Sequence, residues 1–162
     1  MTPTAGRLSL AATTVVAAVS IAMDQTTKSV ALEALDGREP VHVLGTLQLQ
    51  LSYNSGVAFS LGRGSGLTIV PIAVVVVVVV VLVARHLPGR LAATAVGLVV
   101  GGAASNLADR LFRDLDGSVV DFIDLQWWPV FNVADACIVV GGILLALCSL
   151  RRPDSSSPSP QP

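Results

Sequence analysis

Three aspartates stand where polar residues meet long apolar runs: Asp109, Asp121 and Asp135. Asn106, Asp109 and Arg110 follow Gly101-Gly102-Ala103-Ala104-Ser105 and fall at i, i+3 and i+4, one face of a helix. Asn132 and Asp135 repeat the i, i+3 spacing in Phe131-Asn132-Val133-Ala134-Asp135, and Asp121 lies between the two groups in Val119-Val120-Asp121-Phe122. Two carboxyls brought to one site share a proton, because like charges close together cannot both ionise cheaply. The ionised partner can then draw a proton from water while the protonated one polarises a peptide carbonyl. That is the chemistry of an aspartic hydrolase, which needs neither metal nor covalent intermediate. Structural roles compete with it: Asp109 can pair with Arg110 or Arg113, Asp121 can be a loop acid, and Asn132 can cap a helix. Asp135 points more firmly to function. It sits one turn inside an apolar run with no basic residue after it until Arg151, where a charge costs roughly 2.5–3.5 kcal/mol at mid-membrane and less near the interface.

Other chemistries fit poorly. The two histidines, His42 and His86, fall on opposite sides of the apolar run 67–84, which argues against a His-based triad or zinc site. Lys28 is the single lysine, and at the end of an apolar run it reads as an interfacial anchor. Asp114-Leu115-Asp116-Gly117 hints at a calcium loop, but aligning Gly117 as the sixth position puts Phe112 first and Ile123 twelfth, where acids belong. Cys137 and Cys148 are 11 residues apart, about 16 Å along a helix, too far to bridge. No metal and no cofactor are expected.

The elements that must position these residues follow from composition. The 162 residues are 52% hydrophobic and only 13% charged, with mean hydropathy +0.73; a soluble domain carries about 25% charged residues. A net charge of −1 leaves no basic field for nucleic acid. Four stretches approach the length of a membrane helix, at about 8–23, 67–84, 91–107 and 134–150. The eight valines Val74–Val81 are read as helix despite their branching, because a lone strand in lipid leaves its backbone unpaired. The first stretch is read as a retained helix, since Met23-Asp24-Gln25 is a poor cleavage site for a signal peptide. Arg7, Arg85, Arg90, Arg151 and Arg152 crowd the short segments on one side, which places the termini in the cytoplasm. The long connectors then face outward and carry function. In the first of them, Leu47–Tyr53 alternates strictly and Val41 and Val43 extend the pattern, so a small sheet is expected at about 40–62. The expected fold is an all-α membrane protein of four transmembrane helices with a β-cradle between helices 1 and 2. It forms one domain over 1–152, and a Pro/Ser-rich disordered tail covers 153–162.

At this point four blocks, in order, resemble the bacterial lipoprotein signal peptidases (signal peptidase II). They are Asp24-Gln25-Thr26-Thr27-Lys28; Asn54-Ser55-Gly56-Val57-Ala58-Phe59; Gly101–Arg110 with Val120-Asp121-Phe122; and Phe131–Asp135. The resemblance implies an intramembrane aspartic endopeptidase that cuts signal peptides from prolipoproteins just before a diacylglyceryl-modified cysteine, at the outer face of the bacterial cytoplasmic membrane. It implies that Asp121 and Asp135 form the catalytic pair, a choice over Asp109 that periodicity alone does not make. It also implies that Asn54, Gly56, Asn106, Asp109, Arg110, Asn132, Asp24 and Lys28 support the site or contact substrate. The expected partners are the modified prolipoproteins, membrane lipids and globomycin-type cyclic peptide inhibitors, with the enzyme a monomer.

Two departures stand out. Ser105 occupies a position where the family pattern usually has Gly, and the segment from Asp121 to Asp135 looks short and holds Trp127-Trp128-Pro129. Those tryptophans suit a seat at the lipid interface or a flap over the substrate. The main rival is a small proton-coupled carrier in which Asp109 and Asp135 relay protons; a non-catalytic scaffold is a second. Every candidate acid lies near the outer ends of the spans, which favours the hydrolase.

Overall fold

The computed structural model describes residues 9–56, 70–84, 87 and 89–150. Among the described residues, four helices and three strands follow one another as α1 (Leu10–Leu35), β1 (Val41–Leu44), β2 (Leu47–Asn54), α2 (Val70–Ala84), α3 (Arg90–Phe112), β3 (Val119–Asp124) and α4 (Val133–Leu150). The N-terminus, the segment 57–69 and the expected tail lie outside the described residues, and with them the Val57-Ala58-Phe59 part of the expected β region.

Helix α3 is central and packs against α1, α4 and α2. Small residues make that possible. A Cβ added at Gly101 would lie 2.7 Å from the Ala17 carbonyl oxygen of α1, and one at Gly102 would lie 2.5 Å from the Ala134 carbonyl oxygen of α4. Where the surroundings are as apolar as Leu, helices associate through such close backbone approach rather than through hydrophobic burial. The opposite case is α2. Its valines point outward, with Val75 and Val76 more than half exposed. Helices α3 and α4 are long and apolar enough to cross a membrane, and Val70–Leu82 of α2 is a shorter apolar helix.

Helix α1 corrects the expected span of 8–23. It runs 26 residues, about 39 Å, against about 30 Å of hydrocarbon. Its last turns pack Ala31 and Leu35 against Phe122, Leu49, Leu51 and Ile123, so the sheet rather than lipid accounts for the extra length. Helix α3 likewise outruns 91–107 and ends at Phe112.

The sheet is antiparallel, ordered β1-β2-β3. Strands β1 and β2 form the hairpin expected from the alternation at 41–53, joined through Gly45 at φ 57. The third strand corrects the expected cradle. It comes from between α3 and α4, and it turns Asp121 from a loop acid into a strand residue paired with Ser52. Five of the six β3 residues are buried. A strand covered on both faces has no polar alternation to announce it.

Candidate active site

The site forms where β2, β3 and the adjacent ends of α3 and α4 meet, and it is built from carboxylates and amides. Asp121 on β3 is 1% exposed. Its Oδ2 accepts from Asn54 Nδ2 at 3.0 Å and its Oδ1 from Asn132 Nδ2 at 2.6 Å. Asp135, in the first turn of α4, accepts from Asn106 Nδ2 at 2.8 Å and from the Asn132 backbone N–H at 3.2 Å. Asn132 therefore touches both acids. Its Oδ1 caps α4 by accepting from the Asp135 N–H at 2.9 Å, while its amide holds Asp121. The expected capping role and the expected site role belong to one side chain.

Burial pushes the Asp121 carboxyl up to about 6, and the negative charge of Asp135 adds to the rise. The hydrogen bonds from Asn54 and Asn132 and the charge of Lys28 oppose it without cancelling it. A buried acid and a half-buried one that repel each other and are held by neutral donors can keep one proton between them near neutral pH. Among the described residues neither acid has an ion pair.

A second polar cluster backs the first. Asp24, Lys28 and Asp109 are each 0% exposed. Lys28 Nζ lies 2.7 Å from Asp24 Oδ2 and 2.8 Å from Asp109 Oδ2, and Arg113 Nε lies 2.8 Å from Asp109 Oδ1. This corrects the reading of Lys28 as an interfacial anchor. Because α1 continues past the apolar run, its single lysine is carried into the bundle instead of out to the headgroups.

The charged cluster aims the amides. Lys28 Nζ donates to Asn106 Oδ1 at 2.8 Å, which leaves the Asn106 Nδ2 end to face Asp135. Asp24 Oδ1 accepts from the Ala134 N–H at 2.8 Å, a carboxylate at a helix N-terminus, and so pins the turn that carries Asp135. Asp109 Oδ2 accepts from the Val120 N–H at 3.2 Å, beside Asp121. Arg110 donates to the Gly117 carbonyl at 2.7 Å and feels the charges of Asp121, Asp109 and Asp135. Gly56 donates its N–H to Asn54 Oδ1 at 2.8 Å. At φ 76 it holds a left-handed conformation that favours glycine, and it turns the Asn54 amide toward Asp121.

The model of one protein family, Peptidase A8, signal peptidase (SPase) II, matches residues 16–151. The chain belongs to the signal peptidase II family. As a member it is a protease associated with lipoprotein processing and with the membrane. The lipoprotein signal peptidase of Mycobacterium tuberculosis is 43% identical over 139 residues, covering 83% of this chain and 69% of the relative. That of Rhodococcus jostii is 44% identical over 140 residues, covering 84% and 71%. Two solved bacterial membrane enzymes share the fold. One has TM-score 0.78 at 22% identity over 92% of this chain and 99% of its own, the other 0.76 at 23% over 97% of both.

Within this signal peptidase II chain, sequence reasoning left Gln25 without a role. Its Nε2 donates to Asp109 Oδ1 at 2.9 Å and to the Ser105 hydroxyl at 3.0 Å, and its Oε1 accepts from Arg113 at 3.0 Å. The only available signal was its place inside the first matching block. Ser105, the departure from the family pattern, donates to Asp24 Oδ2 at 2.7 Å; a glycine there would lose that bond. Metal-ligand clusters are absent among the described residues.

Proposed function

We propose that this chain is an aspartic endopeptidase that removes signal peptides from diacylglyceryl-modified prolipoproteins, cutting just before the lipidated cysteine. Asp121 and Asp135 act as the pair. One ionised carboxylate takes a proton from the attacking water, and the protonated partner polarises the scissile carbonyl. The observation that carries this reading is the single residue Asn132 that holds both carboxylates, its side-chain amide donating to Asp121 and its backbone N–H to Asp135, with neutral donors on each acid and Asp121 raised to about 6. Asn54, Gly56, Asn106, Asp109, Arg110, Asn132, Asp24 and Lys28 support the pair or meet the substrate.

All four helices span the bacterial cytoplasmic membrane, with termini inside and the sheet and dyad at the outer face. A substrate held by its own acyl chains shares that plane, which raises its effective concentration at the site. Its uncoiled peptide groups find partners among the amides. The enzyme works as a monomer and is blocked by globomycin-type cyclic peptides. The carrier alternative needs Asp109 to load and release protons, whereas two cations, Lys28 and Arg113, hold that carboxylate.

The test is cleavage of a diacylglyceryl-modified prolipoprotein by the purified protein in detergent, beside Asp121→Asn and Asp135→Asn. Loss of cleavage in either folded variant supports the pair. Normal cleavage by both removes it, and proton transport in liposomes by a wild type that does not cleave would favour the carrier.

A further inference from the structure

Among the described residues, an apolar groove reaches the site. It has a volume of about 410 Å³ and its lining includes Leu125, Trp127, Trp128, Phe131, Val139 and the acid Asp135. Two other apolar cavities, between α2 and α3 and between α2 and α4, contain none of the candidate site residues. The lining of the first groove is almost wholly carbon, and Asp135 is its one charged member. Its outer wall is the tryptophan pair, with rings 6.2 Å apart edge to face and side chains 70% and 58% exposed. Val139 and Val140 beside them are also exposed.

We infer that this groove seats an acyl chain of the substrate's lipidated cysteine, and that Trp127 and Val139 measure that chain. The inference rests on the proposed function, because it takes the lipidated cysteine to be placed beside Asp135. From there a chain must leave by an apolar path, and this groove has that acid in its lining. It covers only residues 135–140 of α4, about 8 Å of helix axis. That is too short to dock a whole signal helix and long enough for the first methylenes of an acyl chain. The exposed tryptophan pair in its lining gives the chain a rigid apolar wall.

The experiment compares cleavage of two synthetic lipopeptides, one carrying palmitoyl chains and one carrying butyryl chains, by the wild type, Val139→Phe and Trp127→Ala. Val139 and Trp127 are exposed, so neither change disturbs the core. Filling the groove with Val139→Phe is expected to lower kcat/KM for the palmitoyl substrate at least about tenfold and to leave the butyryl substrate within about twofold. Trp127→Ala is expected to shrink the preference for the long chain through KM. Equal losses on both substrates, or no loss on either, would overturn the inference; equal losses would assign the groove to bilayer lipid instead. Failure of the wild type to cleave either lipopeptide would overturn the proposed function itself, a result distinct from intact cleavage without chain-length preference.

Discussion

Two pairs of aspartates, three of the four side chains buried and Asp135 half-buried, lie side by side in this molecule and are compensated in opposite ways. Asp24 and Asp109 are matched by Lys28 and Arg113, two negative charges against two positive ones. Asp121 and Asp135 are held by the amides of Asn54, Asn106 and Asn132. Ion pairing stabilises the charged form of an acid and ties it to its partner. Neutral amide donors fix position and favour the ionised form without adding a compensating charge. The same residue type is thus ion-paired in one cluster and amide-held in the other, where the proposed mechanism needs an exchangeable acid. The contact between them is directional, since Lys28 orients Asn106 and Asp24 caps the helix that carries Asp135.

The contrast breaks most visibly under isosteric substitution. Asp121→Asn and Asp135→Asn should each lower kcat for a lipidated prolipoprotein by about 10³-fold or more, with melting temperatures in detergent little changed. Asp109→Asn should do the reverse in emphasis. It leaves Lys28 and Arg113 short of a buried partner, and breaking a pair of this kind costs about 3–5 kcal/mol. The measurement is a fall in melting temperature with residual cleavage in the fraction that stays folded. Equal destabilisation at Asp121 and Asp109 would erase the distinction.

A pH titration sharpens it. The native state raises Asp121 from 3.8 to about 6, so the folded protein favours the protonated form. Its contribution to stability is full at low pH and is lost as pH rises from about 4 to about 6. Activity follows the same proton. A pair that needs one proton loses rate as pH climbs through the upper macroscopic value. Asn54→Ala removes a hydrogen bond that favours the ionised form, so the alkaline limb of the pH–rate profile should move upward. A downward shift would mean that Asn54 does not act on Asp121.

The smallest expected effect is at the edge of the charged cluster. The Arg113 side chain is 20% exposed, and water screens what it gives to Asp109. Arg113→Ala should cost about 1 kcal/mol, read as a melting shift of a few degrees, with cleavage retained. A loss as large as that of Asp109→Asn would mean that Arg113, rather than Lys28, neutralises the cluster.

Much of the architecture was legible in the chain. Apolar runs announced the helices, because only helix satisfies the backbone where water is absent. Strict alternation over Leu47–Tyr53 announced β2, whose Leu49 and Leu51 pack toward α1 while Gln50 on the opposite face is exposed. Strand β3 was illegible because both of its faces are covered. The final turns of α1 were read as connector because their partner is the sheet, and no local pattern names a partner 90 residues away.

At the site, the i, i+3 and i+4 spacings of Asn106, Asp109, Arg110, Asn132 and Asp135 marked polar faces on two helices, as the sequence alone determines. Which acid goes with which was decided in three dimensions. Asp109 shares a helix face with Asn106, yet it pairs with Lys28 of α1 and Arg113 just past α3, and Asn106 turns to Asp135 on α4. Lys28 shows the limit most plainly. By sequence it ends an apolar run, and by structure it is wholly buried between two aspartates. Periodicity reports which residues share a face. Charge compensation is a property of the faces that meet, and only packing α1, α3 and α4 together sets it.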